Sequence, residues 1–253
     1  MIYITGDTHG GFERRFNMHN FREQRHMTRD DYVIICGDFG GIWDVGGESR
    51  QEKHWLAWFA KKSLALLFVD GNHENFERLC KYPVREWHGG KVHEIRPSIL
   101  HLMRGQVFEI DGKTIFTFGG ASSHDITGGI LDKDDPQFKK KKKQLDRDYI
   151  SYRINNVSWW EQEMPSEEEM EEGKRNLKAH DYTVDFIITH CCSTSTQEEF
   201  GDRSLYKPDM ATDYFEQIKR CVTFRKWFFG HYHDNMNVNN REIMLYEQII
   251  RIS

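Results

Sequence analysis

Five short blocks, spread from one end of the chain to the other, carry residue types that bind metals. They read Asp7-Thr8-His9, Gly37-Asp38, Gly71-Asn72-His73-Glu74, Thr189-His190-Cys191 and Gly230-His231-Tyr232-His233. As donors they offer the carboxylates of Asp7 and Asp38, the amide oxygen of Asn72, and the imidazoles of His9, His190, His231 and His233, with His73 left over. Hard oxygen mixed with borderline nitrogen suits Mn²⁺, Fe, Zn²⁺ or Ni²⁺ better than Ca²⁺. A carboxylate can give one oxygen to each of two cations, and Asp38 is the candidate for that bridge. It ends an apolar run, so its desolvation needs compensation that a metal pair would supply. His73 follows a donor without being needed as one, and is placed to donate a proton or to stabilise phosphoryl charge. His231 and His233 lie two apart, and in an extended segment they would point the same way.

Each block follows an apolar, strand-like run. Such runs, rich in β-branched and aromatic residues, occupy 1–5, 32–36, 64–70, 114–118, 186–189, 227–229 and 243–252. The segments 92–95, 99–103 and 105–110 read as a meander of short strands, closed by an Asp111-Gly112 turn, a hairpin signal. Helical patterns lie between. Residues 48–62 put Trp55, Leu56, Trp58 and Phe59 on an apolar face. Residues 75–81 suggest a short helix, and 212–220 another. Ser166 with Glu169 forms a capping-box pattern that starts a helix running to about Leu177. Strands alternating with helices imply an α/β fold, and the hairpin-like middle implies mixed rather than purely parallel sheets. The stretch 124–156 is the least regular, an insertion or lid within one domain covering 1–253. Its lysine run 139–143 reads as a solvated loop that could also attract a nucleotide or nucleic acid.

A chain of 253 residues with 38% hydrophobic and 30% charged residues is globular. The net charge of −5 excludes a global basic field for a long nucleic acid. No apolar run approaches a membrane span. Cys36, Cys80, Cys191, Cys192 and Cys221 show no disulfide-framework spacing, which fits reduced thiols in a cytoplasmic protein. The adjacent Cys191 and Cys192 are best explained as small side chains packed at a strand end.

The ordered pattern D-x-H, G-D, G-N-H-E, H and G-H-x-H resembles that of the calcineurin-like metallophosphoesterase superfamily. The resemblance implies a four-layer α-β-β-α sandwich of two mixed sheets, with the site at the carboxyl ends of strands. It implies two divalent cations, Mn²⁺ first, with Fe, Zn²⁺ or Ni²⁺ also fitting. One would take Asp7, His9, Asp38 and His233, and the other Asp38, Asn72, His190 and His231. Attack by a bridging hydroxide, with His73 assisting the leaving group, would hydrolyse a phosphomonoester or phosphodiester. Asp70 and Glu74 would support the ligands from behind. Residues 39–43, Phe-Gly-Gly-Ile-Trp, lack the acid and arginine typical of protein Ser/Thr phosphatases and dinucleoside polyphosphate hydrolases. Gly119-Gly120-Ala121-Ser122-Ser123 and Ser158-Trp159-Trp160 are instead similar to a bacterial and phage subgroup. His124, Asp125 and Arg153 could then reach the substrate mouth. The alternative is a catalytically silent scaffold that keeps the fold to bind a protein or nucleic acid, but such a scaffold has no need of all seven donors.

Overall fold

The computed structural model describes residues 1–201 and 206–253. Its first sheet contains β1 (Ile2–Thr5), β2 (Tyr32–Ile35), β3 (Ala65–Phe68), β4 (Val84–Trp87), β5 (Gly90–Arg96), β6 (Ile99–Leu102) and β15 (Ile249–Arg251), in the order β15-β1-β2-β3-β6-β5-β4. The second contains β7 (Gln106–Ile110), β8 (Lys113–Phe118), β11 (Thr183–Thr189), β12 (Thr223–Phe229), β13 (Met236–Asn237) and β14 (Glu242–Met244), in the order β13-β14-β12-β11-β8-β7. Both are mixed: β1, β2, β3 and β6 run parallel, as do β8, β11, β12 and β14, and antiparallel strands form the edges.

Strand alternation sorts the apolar residues into three layers. Ile2, Ile4, Ile34 and Leu67 of the first sheet meet Phe108, Ile115, Ile188 and Phe228 of the second in a core between the sheets. The intervening Tyr3, Val33, Ile35 and Phe68 point the other way. There they pack against α1 (Phe12–Phe16) and α2 (Arg50–Ala60) through Phe12, Phe16, Leu56 and Phe59. On the far side Phe116, Ile187, Trp227 and Phe229 receive α5 (Glu167–Ala179) and α7 (Met210–Cys221) through Leu177, Tyr214, Phe215 and Ile218. Helix, sheet, sheet and helix are the four expected layers. Each of these buried aliphatic or aromatic side chains stabilises the sandwich by about 1.5–3 kcal/mol.

Local sequence explains where the helices begin. Ser49 caps α2 and Ser166 caps α5, each in a box with the glutamate three residues on, Glu52 and Glu169. Asn75 caps the short α3 (Phe76–Leu79), and Asp209 caps α7. The hairpin β7–β8 turns on Asp111 and Gly112, both with positive φ, the two-residue turn that matches strand twist.

Three expectations are corrected. The run 92–110 is not one meander: β5 and β6 pair in the first sheet, but β7 crosses to the second. Residues 243–252 form two short strands, β14 and β15, in different sheets. The lysine run is not a loop but lies in α4 (Phe138–Asp148), between β9 (Ile130–Leu131) and β10 (Arg153–Ile154), which pair with each other. Lysine is a good helix former, and Lys142 pairs with Asp146 one turn on. No α4 residue is buried, so the apolar period that marks a helix was missing. A further helix, α6 (Thr194–Phe200), starts at the Ser193 cap.

Candidate metal centre

The blocks that follow β1, β2, β3, β11 and β12 meet at the carboxyl ends of parallel strands in both sheets, where ligand sites of α/β sheets lie. Asp7, His9, Asp38 and His233 place one ligand atom each within 4.8 Å of all the others. His9 Nε2 is 2.9 Å from His233 Nε2, 3.5 Å from Asp38 Oδ2 and 3.8 Å from Asp7 Oδ2. His233 Nε2 is 3.2 Å from Asp7 Oδ2. On the other side of Asp38, His190 Nε2 lies 3.4 Å from Asp38 Oδ1 and 3.1 Å from Asn72 Oδ1. The His231 ring is 4.8 Å from that of His190, centroid to centroid. Asp38 thus stands between the two groups of donors.

These spacings fit cations. Two ligand atoms, each about 2.1 Å from one ion and 90–110° apart, lie roughly 3.0–3.4 Å from each other. The protonation states fit too. Burial holds His9 and His231 below the usual imidazole range, so their lone pairs are free. His190 Nδ1 donates to the Cys36 carbonyl at 2.7 Å, which leaves Nε2 as the acceptor. Asp7 and Asp38 are each 1% exposed. Among the described residues neither has a Lys or Arg within ion-pair distance; their partners are histidines.

Backbone shape delivers these donors. His9, Asp38, His231 and His233 all have positive φ, an uncommon state for residues with a Cβ that persists where surroundings enforce it. This corrects the expectation for residues 231–233: the segment is coiled, not extended. His231 turns towards His190 while His233 turns towards Asp7 and His9. The His231 N–H also donates to both Asp7 oxygens, at 3.0 and 3.1 Å. The glycines preceding the donors make room for donors from other strands. A Cβ on Gly71 would sit 2.0 Å from Asp38 Oδ1, and one on Gly230 would sit 2.0 Å from Asp7 Oδ1.

A second layer of polar contacts fixes the first. Asn72 Nδ2 donates to Ser123 Oγ at 3.3 Å, and Ser123 donates through Oγ and N to the buried Glu163 at 2.7 and 2.9 Å. That orients the Asn72 oxygen towards His190. Burial alone would raise the pKa of Asp70, but Arg104 and His101 hold it below the usual carboxylate range. Arg104 donates from Nε and Nη2 at 2.9 and 2.6 Å, and His101 Nε2 is 3.0 Å away. The Asp70 carbonyl accepts from Gly120 N–H, tying the end of β3 to the loop after β8. Glu74 accepts from Phe39 N–H at 2.7 Å, and burial and Asp38 push its pKa well up. Glu74 thus holds the backbone next to Asp38, while Asp70 anchors His101, Arg104 and the loop after β8, and Arg104, His101 and Glu163 escaped the sequence reading. Cys191 and Cys192 are buried in the outer core of the second sheet, with thiol pKa values raised by burial.

His73 sits 5.0 Å from His9, ring to ring, and its backbone N–H donates to Asp38 Oδ1 at 2.8 Å. Burial pushes its pKa down to about 4, with Arg153 adding to the shift against the pull of Asp38. Arg153 Nη2 is 3.0 Å from His73 Nε2, and Arg153 Nε donates to Asp125 at 2.8 Å. His124 stacks obliquely on His231 at 4.4 Å. Thus all three residues from the stretch 124–156 do border the opening above the donors, a cavity of about 470 Å³.

Two facing mixed sheets with this cluster at their strand ends place the protein in the class of metal-dependent phosphoester hydrolases. Within it, the chain belongs to the calcineurin-like phosphoesterase family, whose model matches residues 1–235. It is similar to lariat debranching enzyme A of Xenopus laevis, 24% identical over 151 residues, 55% of this chain and 27% of that protein. It is also similar to the lariat debranching enzyme of Gallus gallus, 24% identical over 140 residues, 51% of this chain and 25% of that protein. The matched segments thus cover about a quarter of the length of these relatives. Among solved structures, the phosphopantetheinyl hydrolase of Mycobacterium tuberculosis aligns over 97% of this chain and 89% of its own, at 12% identity and a TM-score of 0.46. Among the described residues no helix is long and apolar enough to cross a membrane.

Proposed function

We propose that this chain hydrolyses phosphate esters, diesters in particular, with two divalent cations. Asp7, His9, Asp38 and His233 would hold one, and Asp38, Asn72, His190 and His231 the other. The observation that carries this reading is the convergence of buried carboxylates and lone-pair imidazoles at ligand spacing, where among the described residues no Lys or Arg lies within ion-pair distance of Asp7 or Asp38. Two bound cations supply neutralisation of phosphate charge and acidification of water. The protein's own groups do the rest. Asp38 shares its two oxygens between the donor sets. Ser123 and Glu163 keep the Asn72 oxygen inward. Arg153 offers a planar guanidinium to the phosphoryl oxygens. His73, beside both His9 and Arg153, would assist the leaving oxygen. The lariat debranching enzymes among the relatives support a diester and a nucleic-acid substrate.

The test is Mn²⁺-dependent hydrolysis of bis(p-nitrophenyl) phosphate beside p-nitrophenyl phosphate, for the wild type and Asp38→Asn. Turnover of the diester that disappears in the variant is expected. A protein that binds two Mn²⁺ per chain yet turns over neither ester would argue for a silent scaffold.

A further inference from the structure

A second cleft, of about 370 Å³, opens on the far side of His9 and His73 from the other donors. Only these two residues belong to both openings. Its walls are Phe12, Trp43 and Trp55, with the Gly40 and Gly41 backbone between, and Asp44 and Gln51 at the rim. The segment 39–43, which departs from the acid-and-arginine pattern, therefore builds an aromatic wall.

That wall is held rigid. Buried Glu52 accepts from the Trp43 and Asp44 N–H groups at 2.6 and 2.8 Å. Asn75 donates to the Trp43 and Asp44 carbonyls at 3.3 and 3.1 Å, and Arg78 to the Asp44 carbonyl at 2.7 Å. With the backbone groups satisfied, the indole of Trp43 and the carboxylate of Asp44 remain for a ligand. Among the described residues the Asp44 carboxylate has no hydrogen-bond partner. The Trp43 ring lies 5.6 Å from that of His73 at an interplanar angle of 31°, so the indole adjoins His73 on the wall of the cleft. Trp55 is braced by Phe12 at 5.8 Å and Trp58 at 5.4 Å.

We propose that this cleft is the subsite for a leaving nucleoside, its base against Trp43 and Trp55 and its N–H edge towards Asp44. The assignment rests on the phosphoesterase reading, which puts His73 on the leaving side of the ester. Two indoles are stacking platforms for a base. A carboxylate accepts from amino and imino N–H groups such as those of guanine. In the balanced reaction water adds to phosphorus, the P–O bond to the nucleoside breaks, and that oxygen takes a proton.

The experiment compares two diesters that differ only in the leaving alcohol, guanosine or the same ribose without a base. Both orders of the ester, through the 5′- and the 3′-hydroxyl, are assayed, and binding of guanosine alone is followed by quenching of tryptophan fluorescence. The base is expected to raise kcat/KM about tenfold or more in one order, a gain within the range of one stacked base. Trp43→Ala should abolish the gain and Trp43→Phe should keep most of it. Trp55→Leu, a change that keeps an apolar side chain at a partly buried position, serves where Trp43→Ala disturbs packing on Trp160. Equal kcat/KM for both esters, with bis(p-nitrophenyl) phosphate still hydrolysed, would overturn the cleft assignment alone. Failure of every ester, with saturable guanosine quenching that Trp43→Ala removes, would support the cleft and overturn the hydrolase reading. Failure of every ester without quenching would overturn both.

Discussion

Gly71 shows how little freedom the centre has at the level of single residues. A methyl group there meets not only Asp38 Oδ1 but also Asp38 N, at 2.4 Å, and the latter is backbone that cannot swing away. Gly71→Ala should displace the Asp38 carboxylate, the proposed bridge, and cost about 1–3 kcal/mol of stability, the usual range for overpacking. Metal content by mass spectrometry should fall below two Mn²⁺ per chain while circular dichroism keeps its shape. Retention of both ions would show that Asp38 does not bridge. Arg153 is the complementary case. It is buried at the mouth, donates to Asp125 and lies against His73, but touches no proposed ligand. Arg153→Ala should leave metal content unchanged and lower kcat/KM for a diester by about 10–100-fold, as expected when a charge-assisted contact is lost. Unchanged kinetics would assign Arg153 to holding the β9–α4–β10 unit only.

At the level of elements, the donors were legible because metal binding restricts residue type, and because each one directly follows a strand. Their supports were not legible. His101 ends its side chain on Asp70 only because β6 pairs with β3, and Arg104 reaches the same acid only where the chain leaves one sheet for the other. Neither partner is near in sequence, so His101 looked like any strand residue. The same holds for His93, opposite His101 across β5 and β6, with the two Nδ1 atoms 2.9 Å apart. The two imidazoles and the Asp70 carboxylate form one buried chain, His93 to His101 through their Nδ1 atoms and His101 Nε2 to Asp70. Burial, with His101 adding to it, pushes the His93 pKa down to about 4, against about 6.5 in an unfolded chain. Between those values the unfolded chain binds more protons, so stability is full above about pH 6.5 and falls as the pH drops towards 4. The melting temperature of the wild type should therefore fall more between pH 7 and pH 5 than that of His93→Gln. Parallel curves for the two proteins would show that His93 does not contribute to the acid sensitivity.

Across the whole molecule, the centre straddles the sandwich. Asp7, Asp38 and Asn72 come from loops of the first sheet, and His190, His231 and His233 from loops of the second. The sheets share an apolar core, but at this end they share donors as well, and cations bound there would join the two halves. A ligand that binds only the folded chain stabilises it in proportion to the logarithm of its concentration over Kd. At a hundred times Kd that is about 2.7 kcal/mol per site. With an unfolding entropy of about 2.1 cal/mol/K per residue, each site should raise the melting temperature of this chain by about 5 °C. Mn²⁺ added to protein stripped with a chelator should therefore raise it by about 10 °C if both sites fill, by roughly half that if one does. His190→Ala should remove one increment and His233→Ala the other, because they lie in different donor sets. An equal loss of both increments in either variant would mean that the two ions bind as one cooperative unit through Asp38. No Mn²⁺-dependent shift in the wild type would mean that the carboxylates and imidazoles converge without holding metal.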